Sequence, residues 1–133
     1  METRFDLIII GAGPGGYVAA IQAARLGMRT ALVEEDRAGG TCLNRGCIPT
    51  KAMLHAASLF REIQAGERFG ILASEVRCDY GQLLAYRQET VDQLVQGVEQ
   101  LLKGNGVTVL SGRGTLLPGK RVSVASGEGT AVY

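Results

Sequence analysis

Two cysteines, Cys42 and Cys47, are separated by four residues in the run Gly39-Gly40-Thr41-Cys42-Leu43-Asn44-Arg45-Gly46-Cys47-Ile48-Pro49-Thr50-Lys51. In a reducing compartment a close thiol pair points to redox or metal chemistry rather than to a structural staple. On a continuous helix the two sulfurs would lie about one and a half turns apart, so bridging them needs a distorted first turn. Gly46 and Pro49 suit such a distortion. A helix starting here would set its positive end beside a cysteine and lower that thiol's pKa. A strained pair with a ready thiolate is redox-active. Two other arrangements remain open. Zinc needs four ligands, and His55 and Cys78 would have to complete the set at poor spacing. Alternatively, the two thiols lie unlinked in a core. Cys78 has no evident partner and reads as a buried or spectator thiol. His55, two turns beyond Cys47, reads as an ordinary helix residue.

The second chemical signal is Gly11-Ala12-Gly13-Pro14-Gly15-Gly16, which fits G-x-G-x-x-G at Gly11, Gly13 and Gly16. Gly11 makes the tight turn, Gly13 lets backbone approach a pyrophosphate, and Gly16 lets helix and strand pack closely. Pro14 and Gly15 complete the loop and belong to the same cofactor site. The helix beyond offers free N–H groups and about half a positive charge to phosphates. Glu34 follows Gly16 by 18 residues, where a carboxylate accepts from a ribose 2′-OH and repels a 2′-phosphate. The motif by itself fits FAD and NAD equally. Glu35 points to the opposite face of its strand and is solvated.

These groups need elements to hold them. Residues 5–10 form an apolar, β-branched run, the pattern of a strand buried on both faces of a parallel sheet. A helix follows over residues 15–26, stopped by Gly27, and a second strand over 29–33 leads to Glu34. Strand, helix and strand make a right-handed parallel unit. Residues 36–46 are polar and glycine-rich and read as a loop, and residues 47–64 as a helix with Pro49 in its first turn. Residues 66–78 form an irregular connection. Asp79 caps a long helix running to Lys103, its apolar stripe being Leu84, Val91, Leu94, Val98 and Leu101. Residues 107–110 read as another buried strand, and 115–117 with 121–124 as a hairpin around Pro118-Gly119. The tail after Ala125 is glycine-rich and polar, with no evident domain to follow. The expected fold is α/β: a Rossmann-like parallel sheet with flanking helices and a β-hairpin.

The 133 residues, 46% of them hydrophobic, suffice for one domain with a real core. The 19 glycines are about twice the usual share of ~7%, and many of them fall in the two loops described above. A net charge of +1 with interspersed signs gives no electrostatic case for nucleic acid or a membrane surface. No apolar run approaches the roughly 18 residues of a bilayer span, and the chain reads as cytoplasmic.

The strand–fingerprint–helix start, Glu34 and the Gly39–Lys51 segment together resemble the pyridine nucleotide-disulfide oxidoreductases. Leu43 and Ile48 stand where glutathione and mercuric reductases usually carry valines. With Lys-Ala-Met-Leu-His-Ala after them and residues 91–114, they lean toward the dihydrolipoyl dehydrogenase branch. Thr50 replaces the commoner serine and keeps the hydroxyl. The resemblance implies that the dinucleotide is FAD. It also implies a Cys42–Cys47 disulfide, with Cys42 as the thiol that meets substrate and Cys47 as the thiol against the flavin. Lys51 would sit near flavin N5, Gly40 and Thr41 would join the cofactor contacts with Thr41 at the flavin end, and Gly114 would lie at the adenine. NAD would be the co-substrate, and the substrate would be dihydrolipoyl groups on a carrier domain of a 2-oxoacid dehydrogenase complex. A homodimer is implied for the whole enzyme. The family's second flavin-contact strand, its NAD fingerprint and the interface domain with its catalytic histidine are absent from residues 1–133, which are therefore read as an FAD-binding fragment without turnover of its own. Other readings are a glutathione or mercuric reductase type and a non-catalytic dinucleotide-binding module.

Overall fold

The structure is a computed structural model and describes residues 4–133. Strand β1 (Leu7–Ile10) runs into Gly11 at φ 97°, and helix α1 (Pro14–Arg25) starts with proline in its first turn. Proline costs nothing there because the first helical N–H groups lack partners anyway. Gly27 at φ 86° turns the chain into β2 (Thr30–Glu34). A short helix α2 (Gly40–Asn44) and a long one, α3 (Cys47–Gln64), follow, and then a 3-10 turn at Gly66–Phe69. Helix α4 (Tyr80–Gly104) is capped by Asp79, whose Oδ1 accepts from the Gln82 N–H at 3.0 Å. Strand β3 (Thr108–Ser111) closes a parallel sheet ordered β1-β2-β3. Strands β4 (Arg113–Leu117), β5 (Arg121–Ser126) and β6 (Gly129–Val132) form an antiparallel meander.

Alternation along β2 divides the core between the two faces. Leu32 joins Ala20 of α1 and Val91, Val95, Val98 and Leu102 of α4, while Val33 joins Val122 and Val124 of the meander. Helices thus cover one face of the parallel sheet and the meander covers the other. Pairing Ile10 with Val33 and Val33 with Leu110 sets the three strand ends level beside Glu34.

Three expectations change. Strands β1 and β3 are not fully buried: Ile10 and Val109 are 48% and 49% exposed, because only β2 is central. The outer edge of β1 has no strand partner among the described residues. The buried stripe of α4 is Val91, Val95, Val98 and Leu102, whereas Leu94 and Leu101 face outward at 43% and 55% exposure. The tail adds a strand, since β6 pairs with β5 from Ser126–Gly129 to Ser123–Val132. Finally, residues 36–46 are not all loop, since α2 lies within them.

Candidate functional site

Ala12 is where the parts of the site meet. Its N–H donates to Glu34 Oε2 at 2.7 Å, and its carbonyl accepts from the Gly39 N–H at 2.8 Å. Glu34 also accepts from the Asp36 N–H through Oε1 at 3.0 Å. This acid therefore clamps the fingerprint to the following loop, a role its spacing alone does not disclose. Each carboxylate oxygen has two acceptor positions, so both retain capacity for a ribose hydroxyl.

The fingerprint glycines differ in what their missing side chains allow. A Cβ on Gly16 would lie 1.8 Å from the Gly11 carbonyl oxygen, so the helix could not approach β1 with any other residue there. At Gly13 and Gly15 a Cβ would meet nothing within 4 Å, and the space above the loop is open. Helix α1 has no side-chain cap, and its first backbone bond runs from Tyr17 N–H to Gly13 O at 3.0 Å. The N–H groups of Gly15 and Gly16 precede that bond and Pro14 has none, which leaves the usual donors for an anion.

The cysteine segment rests on this loop. Gly39 (φ 96°) and Gly40 (φ 60°) take left-handed backbone, and a Cβ on Gly40 would sit 2.7 Å from the Gly13 Cα. Helix α2 then carries Thr41, which is exposed, and Cys42, which is half-buried beside the buried Leu43. Arg45 N–H donates to Thr41 O at 2.9 Å, and Gly46 folds back so that its Cβ would lie 3.0 Å from the same oxygen. Cys47, exposed, is the first residue of α3. The expected distorted turn is thus a break between two helices, and it sets the two thiols close enough for Cys47 to act on the ionisation of Cys42. Both are free thiols in this structure.

The electrostatics of Cys42 run opposite to the helix-dipole expectation. Its thiol is pushed above the usual range, first by its hydrogen bond with the Cys47 side chain, then by burial and by the Cys47 charge. The Cys47 backbone N–H and the Lys51 ammonium pull it down without prevailing. Two adjacent acidic groups do not both ionise readily, so Cys42 holds its proton. Lys51, exposed one turn beyond Cys47, is close enough for its charge to reach Cys42.

Gly114 lies on β4 against the end of β1, where a Cβ would come within 2.9 Å of Ile10 and 3.1 Å of Val33. A cleft of about 240 Å³ runs between Gly11, Glu34, Glu35, Gly112, Arg113 and Gly114. Glu35 is exposed at its rim. Gly112 was not among the expected contacts, although its φ of 143° and the 2.5 Å from its would-be Cβ to Ala125 O admit only glycine. His55 is exposed on α3. Cys78 is exposed rather than buried, on an apolar groove with Met53, Phe60 and Leu83. Among the described residues no three His, Cys, Asp or Glu side chains gather as metal ligands, and no helix is long and apolar enough to cross a membrane.

Residues 5–132 match the family model described as "Pyridine nucleotide-disulphide oxidoreductase". The chain is 48% identical over 115 residues to a dihydrolipoyl dehydrogenase of Chlamydia muridarum, an alignment covering 86% of this chain and 25% of that protein. It is 50% identical over 107 residues to a dihydrolipoyl dehydrogenase of Staphylococcus aureus, covering 80% and 23% respectively. The solved Cu(II) complex of an HOCl-induced flavoprotein disulfide reductase from Escherichia coli superposes with a TM-score of 0.80 at 27% identity, covering 99% of this chain and 26% of that one. The chain thus spans about a quarter of the length of the curated relatives it matches.

Proposed function

Because the chain belongs to the pyridine nucleotide-disulphide oxidoreductase family, we propose that it is the flavin- and disulfide-bearing part of a dihydrolipoyl dehydrogenase. The observation that carries the reading is the seating of Gly39-Gly40 on Ala12-Gly13, which holds a thiol pair against a dinucleotide-type loop. The residues fit FAD. The open space over Gly13 and the uncapped start of α1 suit the pyrophosphate, with Pro14 and Gly15 shaping the loop. The Glu34 carboxylate suits a ribose, and the cleft at Gly114 suits the adenine end. Gly40, Thr41, Cys47 and Lys51 would line the flavin end. FAD bound there would supply a two-electron acceptor for the thiol pair.

The protein's own groups carry out the sulfur chemistry, starting from the Cys42–Cys47 disulfide. A dihydrolipoyl thiolate attacks Cys42 Sγ, the Cys42–Cys47 bond breaks, and Cys47 leaves as thiolate. The second substrate thiol, losing its proton, displaces Cys42 and closes the lipoyl disulfide. Cys42 departs as a thiol, having gained a proton, and the pair now holds two electrons. The upward shift of the Cys42 thiol supports this division: Cys42 retains the proton, and Lys51 stands by as a positive charge. NAD, the carrier domain of a 2-oxoacid dehydrogenase complex and a homodimeric partner would be served by the rest of the enzyme, and the 133 residues alone would not turn over.

Anaerobic mixing of the oxidised chain with dihydrolipoamide tests the first half of the reaction. Alkylation and mass spectrometry should find Cys42 and Cys47 converted from disulfide to thiols, with one lipoamide disulfide formed per chain. Unchanged cysteines alongside unconsumed dihydrolipoamide would contradict the proposal.

A further inference from the structure

The Asn44 side chain forms its hydrogen bonds within the cysteine loop. Its Nδ2 donates to the carbonyls of both Ala38 and Gly40, each at 3.0 Å. Its Oδ1 is buried without a partner. The orientation is nevertheless forced, because a flipped amide would set its oxygen against two carbonyl oxygens. Both donors of the amide are therefore committed to holding residues 38 and 40, and a buried acceptor is left unsatisfied, at a cost.

The two carbonyls it holds lie on either side of Gly39. Gly39 donates to Ala12 O at 2.8 Å, and Gly40 abuts Gly13. Helix α2 has five residues and no side-chain cap, and two consecutive left-handed glycines precede Thr41. So short a helix does not stand by its own hydrogen bonds. The Asn44 amide bridges the end of α2 to its start, with Cys42 between the bridged ends.

We propose that Asn44 is a positioning residue that fixes Cys42 relative to Cys47 and to the Gly11–Gly16 loop, so that the thiol pair is preorganised to close its disulfide. The inference rests on the redox reading above. Asparagine is specified by the need for two donors from one short side chain. Aspartate offers none when ionised and repels both carbonyls, and alanine leaves the loop unbridged. Without the bridge Cys42 samples positions away from Cys47, and the effective concentration of one sulfur at the other falls.

The test is the equilibrium of the chain with glutathione and its disulfide. One glutathione disulfide becomes two glutathiones while Cys42 and Cys47 each give up a proton and an electron and join. The ratio of disulfide to dithiol should fall about tenfold in Asn44→Ala, which for a two-electron couple is about 30 mV. Asn44→Asp is nearly isosteric and keeps the packing, so it should show the same direction of change should the alanine variant not fold. Cys42 should also alkylate with a pH profile moved toward that of an ordinary thiol. Asn105→Ala is the matched control, since Asn105 Nδ2 donates to Leu101 O at 2.7 Å within the last turn of α4 and to no carbonyl of the cysteine loop. It should leave the couple unchanged. An Asn44 variant that folds and keeps the wild-type ratio would overturn the positioning role alone. Wild-type cysteines that fail to equilibrate as one couple would overturn it together with the redox reading beneath it.

Discussion

At the residue scale the controlling contact is thiol against thiol. The hydrogen bond with Cys47 is the largest influence raising the Cys42 pKa. Removing it in Cys47→Ala lowers that pKa, so the thiolate fraction at a given pH below it grows. Iodoacetamide should therefore modify Cys42 several-fold faster at pH 8 in the variant than in the reduced wild type, and equal or slower modification would contradict the assignment. This direction was not legible in the sequence. A helix dipole argues for an easier thiolate, but it acts on whichever sulfur starts the helix, and only the folded loop shows that Cys42 lies in α2 and faces another thiol. The glycines were readable because their spacing is a backbone constraint, as the 1.8 Å clash at Gly16 demonstrates. Asn44 was not, because the partners of a short amide depend on how a glycine-rich loop closes around it.

At the scale of elements, α4 braces the cysteine loop from outside. Arg37, in the loop before α2, donates to Asp92 Oδ1 of α4 at 2.8 Å. Asp92 is held below the usual carboxylate range, first by that bond and then by its bond from Gln88. A depressed folded pKa contributes stability above the unfolded value of 3.8 that is lost as pH falls through the folded one. Denaturation midpoints measured from pH 5 down to pH 2 should decline less steeply in Asp92→Asn than in the wild type. The difference should be shallow, because both groups are exposed, and an identical slope would contradict the link. Within α4 the stripe can be tested by contrast. Val95 is 1% exposed and Leu94 43%, so Val95→Ala should cost about 2 kcal/mol and Leu94→Ala well under half of that in urea titrations. The reverse order would restore the stripe read from the sequence. Helix α3 was legible end to end because proline, glycine and apolar spacing agree over 18 residues. Helix α2 was missed because five residues give no periodicity, and β6 because its pairing needs β5 rather than any pattern of its own.

At the scale of the whole molecule, one face of a three-stranded parallel sheet carries helices and the other a meander, and the site lies where β1 and β2 end beside the start of α1. The topology was readable from strand, helix and strand in sequence. The meander's seat on the opposite face was not, because it depends on Val33 pointing away from Leu32 and meeting Val122 and Val124. The central claim is that Cys47 stands within electronic reach of a flavin whose phosphates rest on α1. The most direct measurement is the absorption spectrum of the FAD-loaded chain during stepwise anaerobic reduction with dihydrolipoamide. After two electrons a long-wavelength shoulder should appear beside the flavin bands. It should be present without any reduction in Cys42→Ser, where Cys47 stands as a lone thiol, and be absent in Cys47→Ser. Flavin bands that never gain the shoulder, or a shoulder that survives in Cys47→Ser, would contradict the account.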